Sequence, residues 1–347
     1  MFTTMLSTAL LLLGAAQPIL GAKPSPGCGK APKIVTPAAA SPPGLSITSG
    51  GAARQYFVKL PANYDNTHPY RLIFTMHAVG GSGQQISSGA NAYYGLPSLI
   101  NDTVGAIYVA PTGTSGALGI GWWNNGGVDI TLVKDIIKQV EDDLCIDQNL
   151  RFSTGFSHGG AMSFILACAL GKELRAVAVL SGSPQISGTC PGGTEPVAWY
   201  SQHGTRDQVL NISGGRQMRD RFIKNNGCAA KEAKEPARGE KHIKTVYECK
   251  AEYPTTFVAF DGCVLSTVSL VFQNVFTDIH ATVTTLLALE TRVRLEPFPT
   301  LIHGNSFRSS SRGGDRTKSR RKRWLNYNVH TTPLPSGGKE KIYYLLV

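Results

Sequence analysis

The stretch STGFSHGG, residues 153–160, sets a serine between two glycines as Gly155, Phe156, Ser157, His158 and Gly159. LRFSTGF (150–156) precedes the serine and reads as a strand; AMSFILACAL (161–170) follows and reads as a small-residue helix. A serine on a sharp strand-to-helix turn, with glycines where a Cβ would strike the neighbouring strand and helix, is a nucleophile elbow. A glycine-lined packing turn would also fit the five residues alone. The flanking elements and the further glycine at 160 favour the elbow, with Ser157 as nucleophile. The helix that follows presents its first backbone N–H groups, beginning with that of His158, to a developing oxyanion.

Outward from the elbow, short continuous apolar runs alternate with helical patterns. The runs are QYFVKLP (55–61), RLIFTMH (71–77), AIYVAP (106–111), AVAVLSG (176–182), PVAWYSQHG (196–204) and TTFVAFDG (255–262). Helical spacing appears in DITLVKDIIKQVEDDL (129–144) and SGGRQMRDRFIKNNGC (213–228). Uninterrupted apolar strands between amphipathic helices predict an α/β fold, a mainly parallel sheet with helices on both faces. Residues 23–50, rich in Pro, Ala, Ser and Gly, read as an irregular lead-in.

In this chain order the acid follows the nucleophile, at the end of a later strand. SQHGTRDQVL supplies Asp207 just past a strand that ends at His203-Gly204, and a solvated or capping aspartate is the bland alternative. The base is a histidine after Asp207, and the candidates are His242, His280, His303 and His330. His242 precedes the last strand, and His158 and His203 fall in the wrong order. The Gly-rich loop MHAVGGSGQQ places a second oxyanion donor at the backbone of Ala78 or Val79. Trp122 and Trp123, among Gly and Asn in GIGWWNNGG (119–127), are candidates to stack on a sugar or an aromatic acyl group, with core packing as the alternative for each.

The chain has 347 residues and a formal net charge of +11, of which residues 264–347 carry twelve Lys and Arg against five Asp and Glu. The basic balance therefore belongs mostly to the last quarter and does not make the whole chain a nucleic-acid binder. A cationic run at 308–323 could hold nucleic acid in isolation, but export argues against it. Residues 1–22 read as a secretory signal peptide, too short in its apolar run to span a bilayer, so the expected location is extracellular with no membrane partner. Export permits disulfides among the seven cysteines, and Cys228 and Cys249 bracket a polar loop and could pair. Asn101 and Asn211 head glycosylation tripeptides. No cysteine or histidine spacing suits a metal, and serine acyl transfer needs no cofactor.

Residues 28–263 resemble the fungal feruloyl esterases of the type C/D group, and more distantly the polyhydroxybutyrate-depolymerase-like and acetylxylan esterases. The stretches that carry the resemblance are GCGK, GWWNNGGVDITLVKDII, LCIDQNLRFSTGFSHGGAMSFILACAL, AVAVLSG, HGTRDQVLNISGGRQMRDRFIKNNGC and HIKTVY. The resemblance implies an α/β-hydrolase fold and release of ferulic acid from feruloylated arabinoxylan and pectin of the plant cell wall. It implies Ser157 as nucleophile and Asp207 as acid. The rivals are an acetylxylan or polyester esterase, and a non-catalytic wall-polysaccharide binder.

In that family the last strand ends in Asp-Gly, followed closely by the catalytic histidine in an Asp-Gly-x-His-Thr-Pro context. Here the chain reads Asp261, Gly262, Cys263, Val264. Periodicity stops at the same point, and residues 304–323 are basic and poor in apolar residues. The expected organisation is a signal peptide (1–22), an esterase domain (23–263) cut before its final helix, and an atypical basic tail (264–347). That tail is either an artefact of the gene model or a genuine divergent end whose VHTTPLP (329–335) echoes the missing motif.

Overall fold

The computed structural model describes residues 21–35, 44–100, 104–190 and 192–262. Residues 1–20 of the expected signal peptide, Asn101, Cys263 and all of 264–347, with His280, His303 and His330, lie outside the described residues.

In chain order the elements are β1 (Gly44–Ser49), β2 (Ala52–Lys59), β3 (Tyr70–Met76), α1 (Gly83–Ile86), α2 (Leu96–Leu99), β4 (Ala106–Pro111), β5 (Thr114–Gly116) and β6 (Gly119–Gly121). Then follow α3 (Val128–Asp143), β7 (Ile146–Phe156), α4 (His158–Ala169), β8 (Ala176–Leu180), β9 (Ala198–Gly204), α5 (Ile212–Asn225), β10 (His242–Tyr247) and β11 (Thr255–Phe260). Among the described residues, nine strands form one sheet in the order β1-β2-β4-β3-β7-β8-β9-β11-β10. The six from β4 to β11 run parallel, while β1, β2 and β10 pair antiparallel at the two edges. β5 and β6 make a separate two-stranded hairpin. The α/β-hydrolase-like class expected from the sequence is therefore the fold observed.

Successive residues of a strand face opposite sides of the sheet, so one apolar run supplies two cores. Leu72, Phe74 and Met76 of β3 join the larger core with Leu132, Val133 and Ile136 of α3 and with Met162 and Ile165 of α4. Ile73 lies between them in sequence and joins the second core with Tyr93, Leu96 and Tyr108. This two-sided burial is why the central strands lack polar alternation.

The lead-in differs from the reading of 23–50 as wholly irregular. Gly44–Ser49 forms edge strand β1, in register from Gly44 opposite Phe57 to Ser49 opposite Ala52. The segment before it is irregular but firmly tied. Ser25 Oγ donates to the Leu144 carbonyl at 2.6 Å, and the amides of Lys33 and Ile34 donate to the Asp143 carboxylate. Disulfides join Cys28 to Cys145, Cys168 to Cys190 and Cys228 to Cys249. The last is the pair suggested by its bracketing loop; the other two have no local signal. No helix among the described residues is long and apolar enough to cross a membrane.

The carboxyl ends of the central strands finish level. Phe156 pairs with Leu180, Leu180 with Gln202, and Gly204 with Phe260. Ligand sites of parallel α/β sheets form outside this edge.

Candidate active site

Ser157 joins β7 to α4 with φ 56° and ψ −118°, a conformation that L-residues rarely adopt. Its surroundings enforce it. A Cβ on Gly159 would come 2.0 Å from the Met76 carbonyl oxygen, and one on Gly155 would come 2.4 Å from the Gly159 carbonyl. Only glycines let β7, β3 and the start of α4 approach so closely. A serine at a helix start ordinarily turns its oxygen onto a first-turn amide. Ser157 makes no such bond, so its hydroxyl is not consumed by capping. The elbow is tied from below by Tyr94, whose hydroxyl donates to the Met76 carbonyl at 2.6 Å and accepts from the Phe156 amide at 3.2 Å.

The loop after β3 lies directly beside the elbow. The amide of Gly80 is used by the Ile120 carbonyl and that of Gly81 by the Ala78 carbonyl. Among the described residues the amides of Ala78 and Val79 have no such partner, which leaves them available as donors beside the first-turn amides of α4.

Three buried histidines surround these elements, and each has at least one ring nitrogen committed. His77 Nδ1 donates to the Ala78 carbonyl at 2.7 Å and Nε2 accepts from the Gly113 amide at 2.9 Å. Burial pushes its pKa down to about 4, so it is neutral. His158 Nε2 donates to the Ile186 carbonyl at 2.9 Å and Nδ1 accepts from the Trp122 amide at 3.4 Å; burial lowers its pKa as well. Both rings brace the loops around Ser157 and hold no nitrogen free for proton transfer. His203 Nε2 lies 2.6 Å from the Leu210 carbonyl.

Asp207 is buried three residues past the end of β9. Its Oδ1 accepts from the amides of Val209 and Leu210, both at 2.9 Å. Oδ2 is 3.4 Å from His203 Nε2, whose proton serves the Leu210 carbonyl at the shorter distance. Oδ2 is thus a buried carboxylate oxygen with no hydrogen-bond partner among the described residues. Burial alone would raise this carboxyl; the His203 ring and the amides of Leu210 and Val209 outweigh it and hold it below its ordinary value. The carboxylate is ionised at neutral pH with one oxygen still able to accept a bond.

The end of β11 lies against the Asp207 loop. The amide of Arg206 donates to the Gly262 carbonyl at 3.0 Å, that of Thr205 donates to the Phe260 carbonyl, and Arg206 Nε pairs with Asp261 Oδ1 at 2.8 Å. A Cβ on Gly204 would meet the Gly262 oxygen at 2.5 Å. The chain leaving Gly262 therefore starts at the carboxyl edge beside Asp207. β8 alone separates the Ser157 strand from the Asp207 strand, a lateral offset of roughly 10 Å at the usual strand spacing.

Residues 128–250 match the family model for phospholipases and carboxylesterases. Feruloyl esterase D of Neurospora crassa is 49% identical over 245 residues, covering 68% of this chain and 78% of its own. Feruloyl esterase C of Emericella nidulans is 40% identical over 264 residues, covering 76% and 91%. The probable feruloyl esterase C of Aspergillus niger is 42% identical, covering 73% and 87%. The chain belongs to the feruloyl esterase C/D family. That family membership makes it a carboxylic ester hydrolase by class.

Among the feruloyl esterase features expected from the sequence, one site residue is corrected. Trp122 is fully buried, its indole Nε1 donating to the His77 carbonyl at 2.8 Å and its ring 4.7 Å from that imidazole. It supports the loop from beneath and offers no face to a substrate. Trp123 keeps part of its surface exposed, with Nε1 on the Gly119 carbonyl and its ring edge-on to His158 at 4.9 Å. Asn211 is exposed and caps α5 through the Ser213 amide. His242 sits on edge strand β10, opposite Phe260. The sequence reading missed His77 and Tyr94. A histidine directly after the apolar run of β3 was the signal available for His77; nothing local marks Tyr94.

Proposed function

We propose that this chain is a secreted serine esterase releasing ferulic acid from feruloylated arabinoxylan and pectin of the plant cell wall. Residues 1–22 act as its signal peptide, residues 23–263 as its esterase domain, and Asn101 and Asn211 as glycosylation sites. Ser157 attacks the feruloyl carbonyl, and the amides of His158 and of Ala78 or Val79 hold the oxyanion. An imidazole docked on Asp207 takes the serine proton and returns it to the departing sugar alcohol. Water then releases ferulate by the same exchange. Trp123 contacts the substrate. The single observation that carries the reading is the strained turn at Ser157, φ 56° with its hydroxyl left uncapped at the carboxyl edge of the sheet.

We assign the imidazole to the chain beyond Gly262, because the described histidine beside Asp207 Oδ2, His203, has its Nε2 on the Leu210 carbonyl and its Nδ1 packed against Gly215 of α5, while both ring nitrogens of His77 and His158 are occupied. Position 264, where the family places it, is Val. We therefore take residues 264–347 as foreign to the working enzyme, with the mature message resuming in a histidine after Gly262. The transcript across the Cys263 codon tests this. A message encoding Val264 onward, together with no hydrolysis of methyl ferulate, would leave the scaffold as a wall-polysaccharide binder. In an active form, Ser157→Ala should reduce kcat by roughly a millionfold. An unchanged kcat in that variant would remove Ser157 from the mechanism. Relative rates on methyl ferulate and acetylated xylan separate the feruloyl reading from an acetylxylan esterase.

A further inference from the structure

The four large apolar side chains most exposed among the described residues are Leu118 (73%), Val209 (64%), Val246 (50%) and Ile120 (36%). Single exposed apolar residues are ordinary on a protein surface. Three of the four lie on segments that follow the carboxyl ends of β4 and β9. Val246 lies opposite Thr256, near the start of β11, and so at the amino edge of the sheet. Val209 is in the Asp207 loop, and Leu118 and Ile120 belong to the β5–β6 hairpin.

The hairpin is fastened to the machinery around Ser157. Ile120 accepts from the Gly80 amide at 2.7 Å, which ties it to the loop carrying Ala78 and Val79. A Cβ on Gly121 would meet His158 Nδ1 at 2.6 Å, and one on Gly116 would meet Trp123 Nε1 at 2.2 Å. The ribbon thus lies flat on Trp123 and the His158 ring, with glycines wherever it touches them. The two large side chains in its sequence, Leu118 and Ile120, are left in water at the mouth of the site.

We propose that the β5–β6 hairpin is the apolar wall of the acyl subsite, with Leu118 and Ile120 closing on the planar aromatic ring of the acyl group. The inference rests on the esterase reading above and adds the residues that select the acid. A ribbon held rigidly below and apolar above suits a flat aromatic ring, whose burial removes both surfaces from water.

The test is binding of methyl ferulate to the full chain in the Ser157→Ala form, followed by tryptophan fluorescence. Leu118→Asn combined with Ile120→Asn should raise Kd about tenfold, and Val246→Asn, at the far edge, should leave Kd within twofold. Both hairpin positions are at least a third exposed, so neither change threatens the fold. Undetectable binding to the parent form, equal affinity in the double variant, or an equal loss from Val246→Asn would each overturn the proposal. Hydrolysis is measured separately, with Ser157 intact and in the form whose message resumes in a histidine after Gly262. Hairpin-dependent binding without hydrolysis would sink the catalytic reading and leave the acyl wall standing.

Discussion

Ser157 occupies a backbone conformation that costs about 1–3 kcal/mol and is held there by glycine contacts on both sides. Its place, and that of Asp207, were legible in the sequence because glycine spacing and chain order are local signals. The buried histidines were not legible as braces, because their partners come from other loops: Gly113 and Trp122 for His77, Ile186 for His158. They carry a consequence for stability. The folded-state pKa of His77 is about 4, below the unfolded value near 6.5, so the unfolded chain binds the proton first as pH falls. Its contribution is complete above about pH 6.5 and is lost as pH falls toward 4, roughly 3 kcal/mol for this one group. His158, also lowered, acts in the same direction. Urea midpoints should therefore drop between pH 7 and 4.5, and His77→Gln should flatten that dependence. An equally steep curve in the variant would place the acid sensitivity elsewhere.

At the scale of elements, the parallel strands and the helices α3, α4 and α5 follow directly from apolar runs and helical spacing, since burial on two faces leaves a strong pattern. The edge strands β1 and β10 and the hairpin β5–β6 did not stand out. Half-exposed strands carry polar residues on one face, and the hairpin has three glycines among its eight residues, which lowers strand propensity. The junctions between elements are where glycine is required by contact rather than by φ. Gly159→Ala drives a Cβ into the Met76 backbone, and neither partner can move without displacing β3 or α4. Gly29 has φ +80° with nothing within 4 Å of a Cβ, so alanine there meets only backbone strain. We expect Gly29→Ala to cost about 1–2 kcal/mol in urea unfolding and Gly159→Ala at least twice that or to abolish soluble protein. Equal costs would mean that the elbow is packed more loosely than described.

At the scale of the whole molecule, long-range ties hold together what the sequence presents as separate stretches. The Cys28–Cys145 bridge closes a separation of 117 residues and pins the lead-in to the end of α3, whereas Cys168–Cys190 spans 22. In chain-entropy terms, removing the first should cost about 5 kcal/mol and the second about 3 kcal/mol. Paired Cys→Ser variants compared by urea unfolding measure the difference. A larger loss from the shorter loop would show native contacts outweighing loop entropy.

The sequence by itself determined the fold class and the strand-to-helix turn that carries Ser157, and it placed Asp207 just past a later strand, because each is written in local periodicity, glycine spacing or chain order. Tertiary structure alone decided that Trp122 is a buried support while Trp123 stays partly exposed. It also decided that, among the described residues, two of three buried histidines have both ring nitrogens occupied and Asp207 keeps one oxygen without a hydrogen-bond partner beside the end of β11. Those outcomes depend on which groups distant segments bring within hydrogen-bond reach, and burial fixes that only once the sheet has assembled.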